Sequence, residues 1–121
     1  MPTPDRAARG AAAEDAALRF LTARGLQLIE CNFRARGGEL DLVMDERGTV
    51  VIIEVRARVS DSHGSAAATV DVRKQQRIVN ATRVLLQQRP ALAQCPLRFD
   101  VVTFDGAGSP QWIKAAFDAT D

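Results

Sequence analysis

Residues 50–53 read Val-Val-Ile-Ile, four β-branched side chains in succession within a chain of 121 residues. Such a run is too apolar for a wet sheet edge and fits a central strand covered on both faces. The stretch around it, GGELDLVMDERGTVVIIEVRAR over residues 37–58, divides into two strands and a tight turn. Residues 38–44 alternate, which sets Leu40 and Leu42 on one face and Glu39 and Asp41 on the other. Residues 45–48 supply turn chemistry. If the turn pairs Asp45 with Gly48, Glu39 stands opposite Glu54 and Asp41 lies diagonal to it. Glu39, Asp41, Glu54 and Arg56 then share one face.

Like charges opposed across strands destabilise a hairpin, so three carboxylates on one patch need an explanation. Either the hairpin is a solvated edge or a cation bridges the carboxylates. The apolar second strand favours the cation. Hard divalent ions take oxygen ligands, and Mg²⁺ commonly uses one or two carboxylates with waters and phosphate oxygens.

The length and 46% apolar content suit one core, expected over residues 10–121 behind a mobile tail at 1–9. A net charge of +1 excludes a uniformly basic nucleic-acid binder while leaving room for local patches. No apolar run reaches membrane-spanning length and no signal-peptide pattern opens the chain, so a cytoplasmic protein away from membranes is expected. Cys31 and Cys95 lack metal-type spacing and read as half-buried thiols in a reducing cytosol.

A helix is expected over 11–24, rich in alanine and leucine and stopped by Gly25. Gly10, Glu14, Ala17, Leu18 and Leu21 fall on one seam. Glu14 on that seam has two readings: a first-turn carboxylate complementing the helix dipole, or a member of the acidic patch. A strand follows at 26–33. Arg34 and Arg36 belong either to a solvated turn or to a phosphate path beside the patch. Residues 59–69 read as a loop, with His63 solvent-exposed. Asp71 caps a second helix running to 89, before Pro90. Gln75, Ile78, Thr82 and Leu85 form its seam, and Arg73, Lys74 and Arg77 cluster at its start. Residues 97–104 form another strand, and 112–117 a short amphipathic final segment. The order of helix, three strands, helix and strand gives a mixed α/β sandwich, with a crossover that permits parallel pairing of the third and fourth strands.

Glu14, CNFRARGGELDLV, VIIEVRAR, VDVRKQQRI and LRFDVV together resemble the YraN-like proteins. These are relatives of Holliday-junction resolvases within the PD-(D/E)xK nuclease-like superfamily. The resemblance implies a mixed-sheet nuclease-like core in α-β-β-β-α-β order and, by position, functional roles for Glu14, Asp41, Glu54 and the residue at 56. The superfamily's motif ends in lysine, whereas this chain has Arg56. An arginine occurs there among YraN-like sequences too. It stays charged, so it can orient water or stabilise developing charge but cannot act as a base.

The expectation is a metal-dependent, endonuclease-like protein acting on DNA, at branched recombination or repair intermediates. Asp41 and Glu54 would hold Mg²⁺ or Mn²⁺, with Glu14 and Glu39 in the same shell and Arg56 on water or phosphate. Gln75 would support the site from the second helix. Arg34, Arg36, Arg58, Arg73, Lys74 and Arg77 would contact the phosphate backbone. The expected partners are DNA and, if the chain self-associates, a second copy in a homodimer. The alternatives are a non-catalytic nucleic-acid-binding module and a small adaptor whose hairpin binds a protein.

Overall fold

The computed structural model describes residues 6–57, 70–104 and 110–119, with side chains from residue 10 onward. Arg58 and His63 lie outside the described residues. The elements run α1 (Arg6–Ala23), β1 (Gln27–Ala35), β2 (Gly38–Glu46), β3 (Thr49–Ala57), α2 (Val72–Gln88), α3 (Pro90–Ala93), β4 (Leu97–Phe104) and β5 (Pro110–Phe117). The strands form one sheet in the order β1-β2-β3-β4-β5. β3 and β4 are parallel and the other neighbours antiparallel. The fold is therefore mixed α/β, in the expected α-β-β-β-α-β order with a short α3 and a fifth strand added. That fifth strand is the final segment that the sequence marks only as amphipathic.

Two cores sit on opposite faces of the sheet. Val50 and Ile52 of β3 join Phe99 and Val101 of β4 beneath Ile78, Val79, Ala81 and Leu85 of α2. Val51 and Ile53 join Val102 beneath Ala17 and Leu21 of α1. Alternate residues of the Val-Val-Ile-Ile run thus feed both cores, which is why the run has no polar face.

α1 starts at Arg6, earlier than residue 11, so it takes up the last four residues of the segment expected to be a tail. This moves Glu14 out of the first turn, where the helix dipole acts, and leaves that account of it without a basis. At α2 the expected cap is present: the Asp71 side chain accepts from the Lys74 N–H at 2.8 Å. The expectation of half-buried thiols is met at Cys95 but not at Cys31, which is exposed.

The hairpin register differs from expectation by one pair. Glu46 pairs with Thr49, which leaves Arg47 and Gly48 as the two turn residues, both at positive φ (51° and 94°). A two-residue turn of this kind needs positive φ at both central positions, and glycine meets that need at the second. Pairing Asp45 with Gly48 would have placed the glycine in a strand. The change preserves strand parity, but it brings Asp41, rather than Glu39, level with Glu54.

Asp100 ties β4 to its neighbours. It is 0% exposed and accepts from Arg98 Nε and Nη2 at 2.8 Å each, and from Trp112 Nε1 and the Ala115 N–H at 2.9 Å each. Arg98 reaches on to Glu46 at 2.7 Å. The RFD text of β4 is thus a satisfied ionic network joining β2, β4 and β5.

Gly38 opens β2 where α2 passes close against it. A Cβ there would overlap the Arg77 carbonyl oxygen and come within 3.3 Å of the Ala81 Cβ. Gly38→Ala should therefore push α2 off the sheet and cost about 1–3 kcal/mol in urea unfolding, with the change in midpoint as the readout.

Candidate functional site

The β2–β3 ladder stops at Leu42–Ile53. One residue further on, the Asp41 side chain replaces the main chain: its Oδ2 accepts the Val55 N–H at 2.9 Å. Simple alternation fails at this point. Leu40 packs in the α2-side core and Leu42 in the α1-side core, although the sequence pattern set them on one face. An aspartate that turns to cap a neighbouring strand breaks the pleat, and period-two patterning cannot register that.

Glu54 lies beside Asp41 and is 4% exposed. Its Oε2 stands 3.5 Å from Lys74 Nζ and 3.6 Å from Arg56 Nη1. Burial, then the neighbouring Asp41 charge, pushes the Glu54 carboxyl up to about 8, with Lys74 and Arg56 opposing and a hydrogen bond to Asp41 adding to the rise. Glu14 stands on the α1 side in a pocket of about 100 Å³ with Cys31, Asn32 and Leu42. Burial first, then Asp41 and Glu39, raises its pKa, while a hydrogen bond with Asn32 opposes.

The other expected residues divide. Glu39 makes an exposed ion pair with Arg34 at 3.9 Å, and its charge also acts on Glu14. Gln75 donates its side-chain amide N–H to the Val70 carbonyl at 2.9 Å, which fixes the entry to α2. Arg34, Lys74 and Arg77 line an open cleft of about 640 Å³ with Gly37, Gly38 and Glu39. Arg36 and Arg73 are exposed.

Two participants were not legible as such. Lys74 reads as one of three surface cations, yet it reaches the buried carboxylate. Asn32 adopts φ 53° in β1 and turns toward Glu14. Its residue type was the available signal, because asparagine tolerates the left-handed region.

Among the described residues, no group of three or more His, Cys, Asp or Glu side chains is set to hold a metal ion. The Asp41–Glu54 pair offers an all-oxygen donor set of two carboxylates. That is the number Mg²⁺ commonly takes from protein, with water and phosphate oxygens completing its shell.

The sequence pattern of the uncharacterised protein family UPF0102 matches residues 13–104. The chain belongs to that family. It is 47% identical over 122 residues to a UPF0102 protein of Pseudomonas entomophila (strain L48), covering 98% of this chain and 99% of the relative. A UPF0102 protein of Xylella fastidiosa (strain M12) is 51% identical over 115 residues, with 93% of each chain covered. Among solved structures, that of SSO0001 aligns with 93% of this UPF0102 chain and 54% of its own at 15% identity and a TM-score of 0.46. This chain thus spans about half of that protein's length. No helix among the described residues is long and apolar enough to cross a membrane.

Proposed function

We propose that this UPF0102 protein is a metal-dependent, nuclease-like protein acting on DNA, with branched recombination or repair intermediates as its substrates. The observation that carries this reading is a carboxylate pair, half-buried Asp41 and buried Glu54, linked through Lys74 to a cleft that Lys74 lines with Arg34 and Arg77. Two carboxylates pressed together at low exposure repel unless a proton or a cation lies between them.

Asp41 and Glu54 would hold Mg²⁺ or Mn²⁺, with Glu14 acting through water from the α1 side. The bound ion supplies a water of lowered pKa and offsets charge at the scissile phosphate. Asp41 Oδ2 accepts the Val55 N–H, so the carboxylate keeps a fixed direction beside Glu54. Arg56 keeps its charge throughout and stabilises phosphate oxygens without exchanging a proton. Arg34 and Arg77 set the position of the nucleic-acid backbone and carry no sequence information.

A second reading, a non-catalytic DNA-binding module, is favoured by one feature: Arg56 stands at the strand position beside Glu54, where a proton-exchanging side chain would otherwise be. The deciding experiment is a Mn²⁺-supported cleavage screen over forked, four-way, single-stranded and duplex DNA. The wild type is expected to cut a branched substrate, and Asp41→Asn to lose at least about 10²-fold of that rate. If a proton-exchanging group at position 56 limits the rate, Arg56→Lys gains roughly 10²-fold in single-turnover cleavage. Salt-dependent binding of every substrate with cleavage of none selects the non-catalytic module.

A further inference from the structure

Glu54 Oε2 carries two cations of different kinds, and their side chains have different freedom. Arg56 projects from β3, two residues along the same strand as the carboxylate. Lys74 comes from the first turn of α2, across the sheet face, with its main-chain N–H fixed on Asp71. Its side chain is 37% exposed and spans two environments, the buried Glu54 carboxylate and the open cleft shared with Arg34 and Arg77. Of the 16 lysines and arginines in the chain, only Lys74 and Lys114 are lysines. Lys114 packs over the Trp112 ring at 4.4 Å and on Glu46 at 3.5 Å. Lys74 is therefore the lysine placed to serve both the carboxylates and the cleft.

A lysine ammonium is a point charge on a flexible four-carbon stem, suited to changing partners where the planar guanidinium fork is not. In the unloaded protein the ammonium offsets part of the cost of burying Glu54. Divalent charge on the Asp41–Glu54 oxygens would remove that task and repel the ammonium at short range. The cleft offers it a destination when a phosphodiester lies beside Arg34 and Arg77.

We propose that Lys74 is an exchangeable counter-ion, resting on Glu54 in the unloaded protein and turning to a phosphate oxygen in the cleft when the carboxylates take a divalent cation. This rests on the function proposed above. Lys74 then competes with the cation for one carboxylate and couples cation loading to backbone binding, in both directions by linkage.

The test is calorimetric titration of Mn²⁺ alone into DNA-free wild type, Lys74→Met, Lys74→Arg and Asp41→Asn proteins of equal helix content by circular dichroism. Lys74→Met is expected to bind Mn²⁺ about fivefold tighter or more, the low end of usual coupling between sites. Lys74→Arg, which retains the charge, should stay within about twofold of the wild type. Equal or weaker Mn²⁺ binding by Lys74→Met overturns the exchange while leaving the cation site standing. No Mn²⁺ binding by the wild type, or binding that survives in Asp41→Asn, overturns the cation site and the exchange together. A second measurement addresses the resting state: duplex DNA binding in EDTA, followed by anisotropy. Lys74→Met should lose little there, because its ammonium is committed to Glu54, whereas Arg77→Ala should lose affinity and flatten the salt dependence. A loss in Lys74→Met as large as that in Arg77→Ala would place the ammonium on phosphate from the start and overturn the proposal.

Discussion

Glu54→Gln is expected to stabilise the metal-free protein at alkaline pH by on the order of 5 kcal/mol, and to change little in mild acid. The folded-state pKa of Glu54 is raised, to about 8, by burial and by Asp41. The unfolded chain releases that proton in the ordinary carboxylate range. Between the two values the folded state binds more protons, so the contribution is fully present below the unfolded pKa and is lost as pH rises through about 8. Each unit of separation is worth about 1.4 kcal/mol. Glutamine keeps a neutral hydrogen-bonding side chain beside Asp41 and has no proton to lose. Urea unfolding in EDTA at about pH 5 and about pH 9 measures it, the two proteins diverging only at the higher value. Parallel pH profiles for the two would mean that Glu54 is ionised without penalty in the folded protein.

Asp100→Ala is expected to cost about 3–5 kcal/mol, a large share of the 5–15 kcal/mol typical of a domain. The carboxylate is fully buried and takes four hydrogen bonds, so its loss strands Trp112 Nε1, the Ala115 N–H and two donors of Arg98 at once. An unpaired buried donor carries its full desolvation cost. The Arg98–Glu46 contact would survive, since Arg98 Nη1 reaches Glu46 independently of Asp100. The free energy of urea unfolding is the measurement, and a loss below about 1 kcal/mol would show that water or a shifted Arg98 replaces the carboxylate.

The elements themselves were legible. Turn chemistry, β-branched runs and the Asp71 cap are local, and each is satisfied by residues within a few positions of one another. β5 was less so, because PQWIKAAF is half-buried at a sheet edge and carries a positive-φ residue, Ala115, within it. The membership of Asp41, Glu54, Glu14 and Arg56 in one neighbourhood was also readable, from strand parity and from the resemblance. The contacts of Glu39 with Arg34 and of Gln75 with the Val70 carbonyl were not readable, since sequence spacing does not name a side chain's partner.

By itself, then, the sequence determined the α-β-β-β-α-β order, the doubly covered central strand and the acidic pair at the mouth of the hairpin. These depend on interactions short in sequence or on apolar periodicity. The tertiary structure decided the register, the break in pleat at Asp41, the four-way satisfaction of Asp100 and the reach of Lys74 to Glu54. Each depends on a contact distant along the chain: Lys74 of α2 meets Glu54 of β3, and α2 packs against β2 at Gly38, where a Cβ would meet the Arg77 carbonyl. A side chain's partners across such distances are fixed by where helices cross the sheet, to within about an ångström, and no local pattern carries that distance.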